Sequence, residues 1–540
     1  MMDEEKEPER RPFWKSVRNY FREYCNCTSI HGFRYFGEKR TYFERFWWLI
    51  VFSITLAACV YAIHEVYQKW VKSPVIVSFA TKETPIYSIP FPAVTICSET
   101  KSILEHYNHT KMIGKSVRGE NLTDNEQNIV DYMAMVCDQN PDIHYSNKNV
   151  FSDDFYDYLE KVTPINPLAE IRFMGKLTHL NRFKPIITDE GICYSFNILD
   201  RSQIFRSNVK HYKEYHTQKE VVKNSWSMEN GYTENASLYP HPLRALLAGA
   251  KNSLEIILVS PKSEIDHTCK SSLQGFRVSL HIPSRIPRPS QEYFQVPVNE
   301  VVLAAVYPDM MTTSDSVKTY NPKRRECYFP SERHLKYFRV YTSNNCKLEC
   351  LTNYTLNYCG CVNFYMPRDN TTQICGTGKL ECMAFAEENY ELGDLQKKIM
   401  TPKKRRFFER IFGRSFQDRS LSDCDCMPLC SDLSYNVHIS QNPYDRMQLL
   451  RALASNASVE YPEDKYYFSK LIVFFKSAQF ITSQRHELYG PTDFLANFGG
   501  LLGLFTGFSI LSLMEAIYFL TVRLFCNSRL YGFWAGPDTS

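Results

Sequence analysis

The sequence lacks the short patterns that mark common enzyme sites. It contains no glycine-rich phosphate loop with acids nearby and no G-x-S-x-G nucleophile elbow. These absences argue against a membrane nucleotidase and against an enzyme built on such a nucleophile. The sequence also lacks a large excess of either charge, because it contains 63 Lys and Arg and 59 Asp and Glu, which gives a net charge of +4 over 540 residues. This balance gives no reason to expect nucleic acid as a partner.

Long apolar runs are few, and the two that exist lie at opposite ends of a polar middle. The first covers 46–67 and carries Trp47, Trp48 and Tyr67 as interfacial aromatics. It is long enough to cross a bilayer about 30 Å thick as a helix, and it begins too late to be a removable signal peptide. The second covers 494–525. Two membrane spans are therefore predicted.

Two spans place both termini on the same side of the membrane. Residues 1–45 hold ten Lys or Arg, and Arg523 and Arg529 mark the far end of the second span. The positive-inside rule then predicts cytosolic termini and a multi-pass protein of the plasma membrane. The expected organisation is a cytosolic N-terminus 1–45, a first span 46–67, an extracellular domain 68–493, a second span 494–525 and a cytosolic C-terminus 526–540.

Cysteine is plentiful, with 18 residues, of which fourteen lie between Cys97 and Cys430. An even number in a segment assigned to the outside favours a disulfide framework. Zinc is the alternative, but the pairs Cys359-Gly-Cys361 and Cys424-Asp-Cys426 are closer in sequence than usual zinc ligands. We expect disulfides, and neither a metal nor another cofactor.

Glycosylation sequons favour the same orientation. Six fall in the predicted extracellular domain, at Asn108, Asn121, Asn235, Asn353, Asn370 and Asn456. A seventh, Asn26-Cys27-Thr28, lies in the cytosolic leader, where it should be silent.

The predicted extracellular domain contains the strand candidates Gly275–Ile282, Leu433–Ile439 and Leu471–Phe475, which predict a β-rich core. It also contains the basic run Lys403–Arg406, either a protease site or a solvated loop.

The second span carries features that a lipid anchor does not need. Glycines recur at four-residue spacing at Gly499, Gly503 and Gly507, and Glu515 is a carboxylate at membrane depth. Such a carboxylate costs several kcal/mol unless it faces water or a partner, so it indicates an ion or substrate pathway. The glycines are also compatible with a small-residue stripe for helix packing, and Glu515 with structural pairing to a neighbouring helix.

Several short sequences are distinctive: the N-terminal pair His31-Gly32, the post-span sequence FPAVTIC at 91–97, the sequence GICYSFN at 191–197, the glycine-rich sequence 499–505 and the triplet Gly507-Phe508-Ser509. They closely resemble motifs of the degenerin/epithelial sodium channel family. The short tails, the lack of a C-terminal proline-rich ubiquitin-ligase motif and the aromatic-rich sequence look most like the arthropod pickpocket branch of that family. The cysteine order resembles the family's as well, apart from a wider gap after Cys382. The match covers most of the chain.

The resemblance implies an α+β membrane protein, with two transmembrane helices flanking a disulfide-rich extracellular domain that has a β-sheet palm and a helical thumb. It also implies a trimeric channel, either a homotrimer or a heterotrimer with related subunits. The implied disulfides are Cys97–Cys193, Cys327–Cys430, Cys346–Cys426, Cys350–Cys424, Cys359–Cys382 and Cys361–Cys375, which leaves Cys137 and Cys269 to pair with each other.

The resemblance also assigns roles to residues near the second span. Gly507, Phe508 and Ser509 would form the selectivity filter, in which Phe508 is larger than the small residue usual in the family. The residues expected to line the pore are Asn497, Gly500, Gly503 and Glu515. The residues expected to act in gating are His31, Gly32 and Ala496, and ordinary helix packing is the alternative role for Ala496.

The expected function is that of a subunit of a sodium-permeable, amiloride-sensitive, non-voltage-gated cation channel, opened by a mechanical or chemical stimulus. Its partners would be sodium and other monovalent cations. The alternative is a two-span glycosylated receptor or ectoenzyme without a pore. Glu515 and the triplet Gly507-Phe508-Ser509 discriminate between these hypotheses, because a receptor needs no polar residue inside the membrane.

The resemblance implies that a bulky side chain at position 496 blocks closure of the pore, so Ala496→Val should raise the resting current. Whole-cell recording with surface labelling measures both the current and the delivery of the protein. An unchanged current from a variant that reaches the surface and assembles would contradict the gating role of Ala496.

Overall fold

The structure is a computed structural model that describes residues 13–72, 75–139, 143–164, 166–210, 221–399, 424–454 and 465–536. Its described residues fall into two compact units. One is drawn from Met1–Val77, Ser314–Tyr320 and His486–Ser540, and the other from Ser78–Thr313 and Asn321–Arg485. The basic run 403–406 and the sequon asparagine Asn456 lie outside the described residues.

The helices of at least four residues are Phe13–Cys27, Arg34–Gly37, Tyr42–Lys72, His109–Val117, Asp124–Met133, Asp154–Val162, Arg201–Ile204, Asp315–Lys318, Pro322–Arg325, Ser343–Cys359, Leu380–Ile399, Arg446–Ala454, Pro491–Thr506, Ile510–Leu520 and Val522–Tyr531. The strands are Val75–Phe79, Thr84–Pro85, Ala93–Ser98, Val150–Phe151, Leu168–Phe173, Lys176–Thr178, Phe183–Thr188, Gly191–Phe196, Trp226–Ser227, Gly231–Tyr232, Leu254–Pro261, Phe276–His281, Phe294–Val296, Glu300–Thr313, Ile374–Cys375, Asp432–Pro443, Tyr466–Phe475, Gln479–Phe480 and Ser483–Glu487.

Both predicted spans are helical, with bounds that differ from the prediction. The first helix is Tyr42–Lys72 rather than 46–67. Its 31 residues extend about 46 Å at 1.5 Å per residue, because the polar residues that flank the apolar run continue the helix. The second segment, predicted as 494–525, is divided into Pro491–Thr506, Ile510–Leu520 and Val522–Tyr531. By length and composition, Tyr42–Lys72 and Ile510–Tyr531 can cross a membrane, the latter with an irregular residue at Thr521.

The large unit is built around two β-sheets. In the larger sheet, Glu300–Thr313 pairs in antiparallel fashion with Asp432–Pro443 and in parallel with Tyr466–Phe475. The smaller sheet has the strand order Phe294–Val296, Phe276–His281, Ala93–Ser98, Gly191–Phe196, Phe183–Thr188. All three strand candidates named from the sequence are strands, at Phe276–His281, Asp432–Pro443 and Tyr466–Phe475.

The FPAVTIC sequence enters this unit as a fully buried strand that serves two cores. Val94 and Ile96 belong to an apolar cluster with residues of both sheets, whereas Ala93 and Cys97 belong to a second cluster on the helical side. This division follows from the period of two in a β-strand, which sends successive side chains to opposite faces. Phe91 is buried just before the strand, with its ring centroid 5.4 Å from that of Phe173 and 5.6 Å from that of Phe475.

Disulfides hold the helical side of the unit together. The structure contains the six pairs that the resemblance implies, together with Cys137–Cys269. The helix Ser343–Cys359 receives Cys346–Cys426, Cys350–Cys424 and Cys359–Cys382, the last of which ties it to the helix Leu380–Ile399. Because the bridges close loops that range from 14 to 132 residues, the unfolded chain loses conformational freedom that would otherwise oppose folding.

Buried ions join the hairpin of the smaller sheet to its surroundings. The Glu190 carboxylate is buried. Its oxygens lie 3.0 Å from the Lys101 Nζ atom, 3.2 Å from the Lys270 Nζ atom and 2.8 Å from a guanidinium nitrogen of Arg277. Burial alone would raise the pKa of Glu190, but Lys101, Lys270 and Arg277 together lower it to about 2. The carboxylate therefore stays ionised, and its removal would leave three cations without their shared partner.

The sequon asparagines differ in exposure. Asn121, Asn235 and Asn370 are exposed. Asn108 is half-buried and caps the helix His109–Val117 by accepting a hydrogen bond from the Lys111 backbone amide at 2.8 Å. Asn353 is half-buried within the helix Ser343–Cys359, and Thr355 of its sequon is buried. Accessibility therefore favours the first three sites for a bulky surface glycan.

Asn197 fastens the start of the FPAVTIC sequence to its neighbours. Its amide donates to the backbone oxygens of Phe91 at 2.6 Å and Leu243 at 3.1 Å, and its own oxygen accepts from the Leu243 amide at 2.6 Å. The side chain is buried, and the backbone has φ +59°. Asparagine is among the few residues that tolerate this left-handed conformation.

Asn197→Ala should lower the free energy of unfolding by about 2–4 kcal/mol, because it removes three hydrogen bonds and leaves buried backbone groups without partners. Thermal unfolding of the purified protein in detergent measures the loss. Asn299→Ala is the matched control, since Asn299 is exposed at φ +56° and its side chain accepts a long hydrogen bond, 3.4 Å, from the Phe468 amide. Equal losses in both variants would show that backbone conformation alone, rather than the hydrogen bonds, is responsible.

Candidate functional site

The second predicted span is interrupted where the sequence analysis places the filter. The outer half-span, Pro491–Thr506, ends at Gly507, which has φ +67° and donates its backbone amide to the Gly503 oxygen at 2.9 Å. Glycine adopts this left-handed helix end without steric cost. Three residues, 507–509, separate this helix from the inner half-span, Ile510–Leu520.

Ser509 begins the inner half-span as its N-terminal cap. Its hydroxyl accepts from the Ser512 amide at 3.2 Å, and its own amide donates to the Ser512 hydroxyl at 3.0 Å. Serine favours this position because its short side chain satisfies amides that the first helical turn leaves unpaired. Gly507 and Ser509 therefore explain why the chain leaves one helix and enters the next within three residues.

A turn of the N-terminal segment packs against this break. The turn follows the helix Phe13–Cys27 and includes Ser29, His31 and Gly32. The His31 backbone amide donates to the oxygen of Thr506, the last residue of the outer half-span, at 2.9 Å. Gly32 has φ +86°, which a side chain would strain. The His-Gly pair and the Gly-Phe-Ser triplet are thus in contact, although the sequence analysis treats them separately.

The approach between the two motifs leaves no room at Gly507. A Cβ atom built there would lie 2.8 Å from Cγ, Cδ2 and Nδ1 of the His31 ring. Side chains in folded proteins essentially never come so close, so any residue with a Cβ would displace the imidazole. Glycine at position 507 therefore allows both the left-handed helix end and the close approach of the His31 ring.

Ser29 connects the same turn to the inner half-span. Its hydroxyl lies 2.7 Å from that of Ser512, and its backbone amide and hydroxyl donate to Glu515 Oε2 at 3.1 and 3.2 Å. The structural pairing that the sequence leaves open for Glu515 is therefore present, with an N-terminal turn as its partner. The Glu515 side chain remains half-buried rather than enclosed.

The outer half-span has two distinct faces. Its aromatic face, which includes Phe494, lies toward the first span Tyr42–Lys72, where the ring centroids of Phe494 and Trp70 are 5.2 Å apart. Along the same interface, Cys59 Sγ lies 3.8 Å from the backbone oxygen of Leu501. Because 494, 498, 501 and 505 are spaced by three or four residues, they lie on one side of the helix.

The opposite, open face carries small residues. Ala496 and Gly500 are exposed there and Gly503 is half-buried, whereas the exposed Asn497, three residues after Phe494 and four before Leu501, lies at the border with the aromatic face. A Cβ built at Gly499, Gly500 or Gly503 would meet no atom of the described residues within 4 Å. The Asn497 amide donates to the Asp493 oxygen at 2.9 Å. The glycine stripe therefore does not pack on the first span of its own chain.

The predicted site residues thus form two groups. His31, Gly32, Gly507, Ser509 and Glu515 come together through the N-terminal turn, with Phe508 half-buried between Gly507 and Ser509. Ala496, Gly500 and Gly503 lie apart from them on the open face of the outer half-span, with Asn497 at the border of that face.

The sequence analysis misses Ser29 and Ser512. They are separated by 483 positions in the chain, and serine is too common a residue to be singled out without the fold. The only available signals are that Ser29 lies two residues before His31 and that Ser512 lies three residues after Ser509.

A membrane span interrupted by the non-helical triplet Gly507-Phe508-Ser509, contacted by an N-terminal turn and followed by a carboxylate, is the arrangement expected of an ion channel. The family profile described as amiloride-sensitive sodium channel matches residues 24–519. The chain belongs to this family.

Named relatives lead to the same class. The chain is 27% identical to Pickpocket protein 28 of Drosophila melanogaster, over 94% of this chain and 79% of the relative. It is 23% identical to Sodium channel protein Nach of the same species, over 96% of this chain and 90% of the relative. It is 22% identical to Acid-sensing ion channel 2 of Danio rerio, over 79% of this chain and 69% of the relative. The profile match extends from residue 24 to residue 519, over the first predicted span, the domain between the spans and most of the second span.

A cysteine pair at Ser29 and Ser512 should form a cross-link, because the two hydroxyls are 2.7 Å apart. The exposed Cys27 and Cys526 are first replaced by Ser. Mild oxidation and mass spectrometry of the joined peptides then measure the yield. Ser29→Cys with Leu511→Cys is the control, since the Leu511 side chain is exposed. A comparable yield from both pairs would mean that the turn does not occupy this position.

Proposed function

We propose that the chain is a subunit of a sodium-permeable, amiloride-sensitive, non-voltage-gated cation channel that opens in response to a mechanical or chemical stimulus. Three subunits, identical or related, assemble around a common axis in the plasma membrane, with both termini in the cytosol. The observation that carries this proposal is the interruption at Gly507–Ser509 between two apolar half-spans, with Glu515 one and a half turns further along the inner helix.

The open face of the outer half-span supports assembly. Ala496, Asn497, Gly500 and Gly503 present small or polar surface on a helix whose opposite side packs on the first span. In lipid, such a face gains from close contact with another helix or from water. Three copies of this face around an axis would line a pore, with Asn497 at its outer mouth and the glycines allowing close approach.

The non-helical triplet supplies the chemistry of a cation filter. Non-helical backbone at membrane depth is tolerated where it lines water or is buried in protein, and carbonyl or hydroxyl oxygens at close quarters can replace the hydration shell of a cation. Gly507, Phe508 and Ser509 provide such oxygens. The Phe508 ring holds the three copies of the triplet apart, so sodium is only weakly preferred over potassium.

Glu515 then acts in two ways. Its Oε2 atom accepts hydrogen bonds from Ser29, which fixes the turn that contains His31 and Gly32. Its negative charge, repeated in three subunits, concentrates cations on the inner side of the filter. The alternative, a receptor or ectoenzyme without a pore, does not account for the family match or for this arrangement.

Phe508→Ala should increase the sodium-to-potassium permeability ratio a few-fold, because loss of the ring lets the three copies of the triplet approach more closely. The Ala496→Val background holds the pore open, and whole-cell current is recorded while external sodium is exchanged for potassium. The shift in reversal potential measures the ratio, and amiloride added last identifies the current.

Phe525→Ala is the matched control, since Phe525 is exposed and lies outside the triplet; it should leave the reversal potential unchanged. Equal shifts in both variants would remove Phe508 from the filter. No current from surface-delivered protein, expressed alone or with related subunits, would contradict the channel itself.

A further inference from the structure

The last described residues turn back onto the first. The five residues 532–536 follow the helix Val522–Tyr531 and are called the C-terminal hook below. The hook begins and ends with a glycine of positive φ, +65° and +73°, a conformation that glycine adopts without steric cost. The side-chain amide of the buried Asn527 donates to the backbone oxygen of Trp534 at 3.3 Å. This hydrogen bond holds the hook against the helix that precedes it.

Trp534 of the hook packs on the N-terminal helix Phe13–Cys27. Its ring centroid lies 5.9 Å from that of Phe13 and 5.9 Å from that of Tyr20. Seven positions separate Phe13 from Tyr20, so the two rings lie on one side of the helix, two turns apart. Aromatic pairs at such distances stabilise a contact beyond the apolar area that they bury. One indole ring therefore fixes two turns of the helix.

Tyr20 extends this contact to the second span. Its hydroxyl donates to the backbone oxygen of Phe519, in the last turn of the inner half-span Ile510–Leu520. The helix ends there because Thr521 has φ −129° and ψ −75°. The last carbonyls of a helix lack partners within the helix, and an unpaired carbonyl in apolar surroundings is costly. Tyr20 therefore supplies a donor at the point where the inner half-span needs one.

The same N-terminal helix leads directly into the turn at the filter. It ends at Cys27, and Ser29 follows two residues later with its hydrogen bonds to Glu515. Phe519 lies four residues after Glu515 and so on the same side of the inner half-span. The N-terminal segment therefore covers one continuous side of this helix, and a displacement of its helix also displaces the turn that contains His31.

We propose that Trp534 is a positioning residue for the filter. The C-terminal hook holds the helix Phe13–Cys27 on the inner half-span and thereby keeps the turn with Ser29 and His31 against Gly507. A helix of 15 residues is only marginally stable without partners, so it depends on such contacts. The role in the filter rests on the proposed function, whereas the hold on the helix does not require conduction.

Amide hydrogen exchange of the full chain in lipid nanodiscs tests the hold on the helix without recording current. Trp534→Ala should speed exchange in residues 13–27 and in the turn 28–33 about three- to tenfold, because loss of two aromatic contacts favours local opening by such a factor. Tyr531→Ala is the matched control, since this aromatic residue of the same segment is 56% exposed, and it should leave both rates unchanged.

Two further variants guard against general destabilisation. Trp534→Phe keeps an aromatic ring and should restore most of the protection. Phe13→Ala removes one of the two ring contacts from the other side, which keeps the test available if the Trp534→Ala chain does not fold. Unchanged exchange in the turn would overturn the proposal, even with faster exchange in the helix. An equal increase in the buried strand Ala93–Ser98, which belongs to the other unit, would also overturn it.

Whole-cell recording in the Ala496→Val background then tests the role in the filter. Trp534→Ala should lower the sodium-to-potassium permeability ratio toward one, because a loosened turn no longer holds Gly507, and Trp534→Phe should lower it less. Faster exchange with an unchanged ratio would overturn the role of Trp534 in the filter. Absence of any current together with the expected exchange would contradict the proposed function, while it would support the hold of Trp534 on the helix.

Discussion

The constraint on which this protein depends is that a break in a membrane span must have its backbone groups satisfied by protein. Water is absent from the hydrocarbon core, and each unpaired amide or carbonyl there costs several kcal/mol. The break at Gly507–Ser509 meets this requirement from two sides. Gly507 and Ser509 cap the adjoining helices, while His31 donates to the last carbonyl of the outer half-span. The N-terminal turn is therefore part of the span's structure.

This arrangement has a functional corollary. In the channel proposed above, the filter is completed by an N-terminal segment and responds to whatever moves that segment. Ser29 contacts Ser512 and Glu515, and the helix preceding it is joined to Phe519 and Arg523. In that channel, a movement of the helix Phe13–Cys27 is consequently linked to the filter through one continuous stretch of chain.

The large unit, drawn from Ser78–Thr313 and Asn321–Arg485, is held together by a different set of interactions. The FPAVTIC strand contributes to both of its apolar cores. Asn197 fixes the residue that precedes this strand, and Cys97–Cys193 fixes the strand to its neighbour. Disulfides in turn brace the helices Ser343–Cys359 and Leu380–Ile399. Hydrogen bonds and disulfides therefore fix the strands and helices of this unit to one another.

The sequence by itself determined the two apolar segments, the alternating strands, the family motifs and the helix break, because hydropathy, periodicity and the backbone preferences of Gly507 and Ser509 are local properties. It did not determine where the first helix ends, since flanking polar residues continue a helix without changing its pattern. Only the tertiary structure decided that His31 lies against Gly507, that Ser29 binds Glu515 and that the glycine stripe faces away from the first span. These contacts join residues hundreds of positions apart, and no local preference of a serine or a glycine specifies which distant partner it meets.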